Sequence, residues 1–187
     1  RHFIVDWDPS QAQWLNPALV LIFIPLFNRV IYPLFDDFWP LTPLRKISIG
    51  LFLTVPAFLL PAWLEARLDA GETVNIVWQL ACYIVMTAAE ILISITALEF
   101  SYTQAPKRMK SVVMGVFFAR VAAGNLFTAA VNFFIQNADG TSKLDGSSYY
   151  LFVAAAMGVT ALLFVPVAVL YKERTYIQDE APAGAAG

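Results

Sequence analysis

Glu90 stands within the run from Asn75 to Ser94, an otherwise uncharged apolar stretch long enough to cross a bilayer. An ionised carboxylate at the centre of a membrane helix costs roughly +2.5 to +3.5 kcal/mol, so such groups face a bundle interior or a wet cavity where they meet a partner. The chemistry it offers there is capture of a cation, strengthened by the low local dielectric; the architectural alternative is an arginine on a neighbouring helix. Ser94 lies four residues on, on the same helix face. Its hydroxyl can bond Glu90 or the same ligand, or Ser94 can serve as a small packing residue. Glu99 is nine residues beyond Glu90, which in a regular helix places it about 180° away, on the opposite side. A buried carboxylate there needs compensation, and Arg120 or Arg29 on neighbouring helices can supply it, giving Glu99 a structural or gating role. Asn16, followed by Pro17 at the start of an apolar run, reads on its own as a helix cap.

The composition calls for a membrane to hold these residues. Apolar residues make up 59% of the 187 and charged ones only 14%, against a soluble average of about half and a quarter. The net charge of -2 and the scattering of the twelve Lys and Arg leave no basic footprint for nucleic acid. Cys82, the single cysteine, lies in an apolar run as a small hydrophobe and has no internal disulfide partner. His2 is the single histidine, at the start of the chain, which excludes a histidine dyad or a His-ligated metal site within the bundle. No nucleophile and base pair stands in the apolar runs, so the chain does not read as an enzyme, and no cofactor is expected.

Five stretches reach the roughly twenty apolar residues that a spanning helix needs, near 15–35, 45–65, 74–103, 110–136 and 148–171. The expected fold class is all-α, a polytopic membrane bundle. Pro25, Pro56 and Pro61 fall inside these helices, where neighbouring helices re-satisfy the freed carbonyls, and Pro25 is expected to kink the first. Gly115, Ala123 and Gly124 in the fourth are expected at close helix contacts.

Basic residues set the orientation, because short cytoplasmic loops hold the excess of Lys and Arg. Arg45, Lys46, Lys107, Arg108, Lys110, Lys172 and Arg174 mark one side, while the other has only Arg1, Arg67 and Lys143. The amino terminus is therefore expected outside and the carboxyl terminus in the cytoplasm. Residues 178–187 carry small and charged side chains and read as a disordered tail after a bundle covering 1–177. The polar opening from Arg1 to Gln13, without an initiator methionine and ahead of an odd number of spans, leads us to expect further helices upstream.

Further along, Ala89-Glu90 is followed by Leu98-Glu99-Phe100-Ser101-Tyr102-Thr103-Gln104-Ala105-Pro106 and then Met109-Lys110-Ser111. This block resembles the tenth helix and following loop of the proton-dependent oligopeptide transporters, a family of the major facilitator superfamily. The resemblance extends through Leu15-Asn16-Pro17, Gly124-Asn125-Leu126 and the segment from Tyr171 to Tyr176. It implies that the five spans are helices eight to twelve of a twelve-helix fold, and that the missing partner is the amino-terminal part, helices one to seven. In that family the glutamate at the position of Glu90 receives the amino terminus of a di- or tripeptide, and the asparagine at Asn16 reaches the peptide. Phe117 falls where many members have a cavity tryptophan, keeping an aromatic wall without the indole N–H.

The resemblance implies part of a proton-coupled peptide symporter of the cell membrane, with Glu90, Ser94, Asn16 and Phe117 around the substrate. The family's first-helix Glu-x-x-Glu-Arg motif, which the resemblance implies for proton coupling and carboxylate binding, and its seventh helix have no counterpart in this sequence. A carrier of nitrate or another small solute, or a truncated bundle that scaffolds partners without transporting, are the alternatives.

Overall fold

The computed structural model describes residues 14–36, 41–135, 143–144 and 146–171. The first thirteen residues and the tail assigned to 178–187 lie outside the described residues. Among the described residues there is no strand, and five helices are long and apolar enough to cross a membrane: Leu15–Phe35, Pro43–Asp69, Val77–Thr103, Lys110–Ile135 and Ser147–Leu170. In a bilayer the helix satisfies every backbone polar group within its own segment, which is why such apolar runs fold this way.

Each helix end has a local cause. Thr42 is extended and Pro43 opens the second span, a position where the missing N–H is no loss. Its far end closes with Gly71 at φ 80, the Gly71 N–H on the Leu68 carbonyl at 3.0 Å and the Glu72 N–H on the Arg67 carbonyl at 3.1 Å. That paired arrangement needs a left-handed residue, which glycine adopts without steric penalty. Asn75 caps the third span, its side chain accepting the Val77 N–H at 3.1 Å. Helix continues past the apolar runs at both ends of the second span, through Arg45, Lys46 and Arg67, because polar side chains can remain helical once they reach the interface.

Two spans depart from regular α geometry. The first is continuous through Pro25 but widens into a π-helical turn at Phe27–Ile31, and the third does so at Ile91–Ile95, directly after Glu90. In the first span the proline ring displaces the helical ladder, and the wider turn absorbs the displacement. The two turns pack together, with Phe27 against Ile91 and Leu92.

Small residues build the tightest helix pair. Ala154 and Ala161 of the fifth span are buried, with Gly158 between them lying against Val55 of the second span, and Ile47 and Leu51 pack on Ala161. Such stripes let membrane helices approach closely without relying on hydrophobic exclusion of water. Gly50 of the second span sits on the π turn of the third, so close that a Cβ there would stand 2.7 Å from Ile93 Cγ1 and 2.9 Å from Leu92 Cβ.

The fourth span is different. None of its residues is buried; it packs on Thr96–Thr103 of the third span, beside the turn that joins them, and meets the fifth span through the Tyr149 hydroxyl, which donates to Asn132 Oδ1 at 3.4 Å. Gly115 and Gly124 have no atom within 4 Å of a would-be Cβ, and Ala123 is exposed. The expected close-packing role of these three is therefore corrected, since no other described helix approaches them.

Candidate functional site

The Asn75 cap sets the phase of the third span, and Thr87 and Glu90, three residues apart, then share the face turned to the first span. Asn16, in the first turn of that span, reaches across. Its Nδ2 donates to Glu90 Oε2 at 3.3 Å, and its Oδ1 accepts from the Thr87 hydroxyl at 3.0 Å. Asn16 is thus not a cap: the residue before the helix is Trp14, and no side chain caps that end.

The geometry orders the three roles. Thr87, 1% exposed, is the fixed point. By occupying Oδ1 it turns the amide so that the NH₂ group faces the carboxylate. Glu90 itself is exposed. A carboxylate has about four acceptor positions, and Asn16 uses one; among the described residues no Arg or Lys lies within ion-pair distance of it. The arginine-paired alternative is absent from the described residues, and a carboxylate with most of its acceptor positions unfilled by them can accept an incoming cation. An ammonium group, with three N–H donors, matches what is left.

Thr87 was not singled out from the sequence. Its spacing of three residues before Glu90 was the available signal, since that spacing puts a hydroxyl beside the carboxylate's face. Its contribution is testable by Thr87→Val, which keeps the shape and removes the donor. Leaving Asn16 Oδ1 without its partner costs about 1 to 1.5 kcal/mol, so KM for a cationic ligand of this carboxylate is expected to rise five- to tenfold at unchanged protein yield. An unaltered KM would show that Thr87 does not hold the amide.

The other singled-out residues are distributed around this centre. Ser94 lies within the π turn, exposed, and makes no hydrogen bond to Glu90. Phe117 carries the Arg120 guanidinium over its ring at 3.9 Å. The suggested pairing of Glu99 with Arg120 or Arg29 is corrected: neither ion pair forms among the described residues, and Arg29 is exposed on the π turn of the first span. The π turn explains why Glu99 goes elsewhere. One inserted residue sets the helix back by about 100°, so Glu99 lies about 80° from Glu90 rather than 180°. It comes near Tyr32, whose hydroxyl bonds Thr96 and whose ring lies under Lys46 Nζ at 3.7 Å. The first span therefore meets the third both at Glu90, through Asn16, and toward Glu99, through Tyr32.

Comparison with known proteins identifies the family. Residues 4–149 match the model of the POT family, PTR2. The chain is 31% identical over 133 residues to the peptide transporter PTR2 of Saccharomyces cerevisiae, covering 64% of this chain and 22% of that protein. It is 37% identical over 108 residues to solute carrier family 15 member 2 of Rattus norvegicus, covering 58% and 15%. In three dimensions it is similar to the crystal structure of an auto-inhibited POT family peptide transporter, with a TM-score of 0.84 and 33% identity over 92% of this chain and 35% of that one. The POT family transporter PepTSo gives a TM-score of 0.77 at 29% identity, over 90% and 35%. The chain thus spans roughly a third or less of the proteins it matches. With a family match over most of its length and a fold shared with solved members, the chain belongs to the POT family of peptide transporters.

Proposed function

We propose that this chain supplies part of the central cavity of a proton-coupled di- and tripeptide symporter, with Glu90 receiving the peptide amino terminus. Asn16 and Thr87 hold the carboxylate in place, while Ser94 and Phe117 shape the surrounding wall. Glu99, near Tyr32 and Thr96, acts at the end of the same helix pair in a structural or gating capacity. The chain sits in the cell membrane with its amino terminus outside and its carboxyl terminus in the cytoplasm. The remaining spans of the transporter complete the cavity and carry the proton coupling, and the two halves rock about the midplane site.

One observation carries this reading: an exposed carboxylate in the middle of a membrane span, braced by an amide, with no cation beside it among the described residues. Such a group gains its charge partner from the substrate. A site built around a charge that becomes desolvated on binding also rejects ligands that leave it unpaired.

The test compares alanyl-alanine with N-acetyl-alanyl-alanine in proteoliposomes holding the whole transporter that contains this chain, under an inward proton gradient. The free dipeptide is expected to accumulate, and the acetylated one to enter at least about thirtyfold more slowly, since removing one member of a desolvated charge pair costs 2 to 5 kcal/mol. Equal uptake of the two would overturn the assignment of Glu90.

A further inference from the structure

Tyr32 stands where three spans meet. It is the first residue beyond the π turn Phe27–Ile31, and Thr96 is the first beyond the π turn Ile91–Ile95. The side chains of these two residues are hydrogen-bonded to each other. The Tyr32 ring rests edge-on against Phe27, with centroids 5.7 Å apart, and Phe27 packs on Ile91 and Leu92 of the facing turn. From the second span, Lys46 Nζ covers the face of the same ring, 3.7 Å from its centroid. Thr96 is buried. Unlike Thr54, Thr128 and Thr160, which bond carbonyls of their own helices, it directs its side chain to another span, and a buried hydroxyl used in that way fixes one helix against its neighbour.

The two π turns thus lie between two side-chain ties that join the same pair of spans. Asn16 with Thr87 and Glu90 forms the tie before them, and Tyr32 with Thr96 the tie after them. A π turn is a one-residue insertion that disturbs the hydrogen-bond ladder, and a helix bends at such a place while the α-helical segments on either side stay rigid. An ammonium group arriving at Glu90 competes with Asn16 Nδ2 for the carboxylate, so a ligand alters the first tie. The change reaches the far ends of the two helices through the turns. The second tie then decides whether those ends follow it together or separately.

We propose that Tyr32 is a positioning residue for transport: through its bond to Thr96 it makes the ends of the first and third spans, Tyr32–Asp36 and Thr96–Thr103, turn as one unit about the paired π turns when the Glu90 site fills. Glu99, three residues beyond Thr96 on the same helix face, is carried with them. This rests on the peptide reading of the Glu90 site. Tyr32 acts in the conformational step and does not touch the ligand.

Tyr32→Phe, Thr96→Val and the double variant are made in the whole transporter that contains this chain. kcat and KM for alanyl-alanine are measured in proteoliposomes, together with the thermal midpoint of each protein. Phenylalanine keeps the ring against Phe27 and under Lys46 and removes only the hydroxyl. In all three variants kcat is expected to fall about fivefold, the size of one hydrogen bond, with no further fall in the double variant because both changes remove the same bond. KM is expected to move by less than about twofold, since no contact with the ligand is lost. The thermal midpoint separates positioning from packing. Each single variant leaves one side chain without its partner and lowers the midpoint, whereas the double variant removes both polar groups and regains most of it. A kcat that recovers with the midpoint in the double variant would make the bond purely structural and overturn the proposal. An unchanged kcat in Tyr32→Phe, losses that multiply in the double variant, or a raised KM at retained kcat would also overturn it. If the double variant does not fold, Thr96→Ser decides, because it keeps the hydroxyl: a kcat near wild type supports the bond, and a fall equal to that of Thr96→Val overturns it. Wild-type protein that does not carry alanyl-alanine overturns the peptide reading, and this proposal with it, which separates the two failures.

Discussion

Glu90→Gln is expected to lower uptake of alanyl-alanine by the whole transporter at least about thirtyfold while leaving the protein as stable as the parent or more so. The two halves of this expectation have one cause. Glutamine matches glutamate in size, and its amide oxygen can still accept the Asn16 Nδ2 hydrogen now directed at Glu90 Oε2. Packing against the first span is therefore retained. What disappears is the negative charge, and a substrate ammonium then finds a dipole where an ion stood, a loss of 2 to 5 kcal/mol for a desolvated pair. At 1.36 kcal/mol per factor of ten, the middle of that range is a few hundredfold. The empty protein is also relieved of the roughly 2.5 to 3.5 kcal/mol cost of an ionised group near the helix centre. Uptake and thermal midpoint thus move in opposite directions. A purely architectural glutamate predicts a fall in both, and uptake that survived the substitution would end the assignment. Glu90→Asp is intermediate, because a carboxylate shorter by one methylene keeps the charge but loses the reach to Asn16.

Much of this architecture is legible in the sequence, and the reasons for what is not are specific. Five apolar runs can only be satisfied as membrane helices, and a charged residue such as Glu90 inside one is visible by contrast with its surroundings. The π turn at Ile91–Ile95 is not. Its five residues, Ile-Leu-Ile-Ser-Ile, are compatible with a regular helix, and the extra residue in the turn is set by what packs on it, Gly50 on one side and Phe27 on another. Missing it turned Glu99 to the wrong side and suggested arginine partners that do not form. Thr87 is hidden for a different reason. A threonine in an apolar helix ordinarily bonds its own backbone, as Thr54, Thr128 and Thr160 do here, and only the arrival of Asn16 from the first span gives Thr87 another acceptor. Arg120 was visible as a charge, but its seat on Phe117 follows from the i to i+3 spacing only once Glu99 is removed as its partner.

Gly50→Val is expected to abolish the folded transporter, and Gly50→Ala to lower its thermal midpoint by several degrees together with transport. A Cβ at position 50 would meet Ile93 Cγ1 at 2.7 Å, Leu92 Cβ at 2.9 Å and the Ile93 amide nitrogen at 3.2 Å. The first of these belongs to a side chain that can rotate. The other two are fixed to the helix backbone, so the second and third spans must separate. Overpacking of this kind costs about 1 to 3 kcal/mol for one added methyl, and the two γ carbons of valine press further into the same backbone. The functional loss is expected to exceed the loss of stability, because Leu92 and Ile93 form the turn directly after Glu90. Shifting that turn moves the carboxylate relative to Asn16, and a displacement of about 1 Å at a positioned group can cost a hundredfold in rate. The check is a double-substitution cycle. Adding Ile93→Ala to Gly50→Ala removes the rotatable contact and should recover part of the thermal midpoint, whereas Ile93→Ala alone should lower it by opening a gap. Transport should recover less than stability, because Leu92 Cβ still holds the two helices apart. If Gly50→Ala were neutral in both measurements, the second span would not be seated on the turn that carries Glu90.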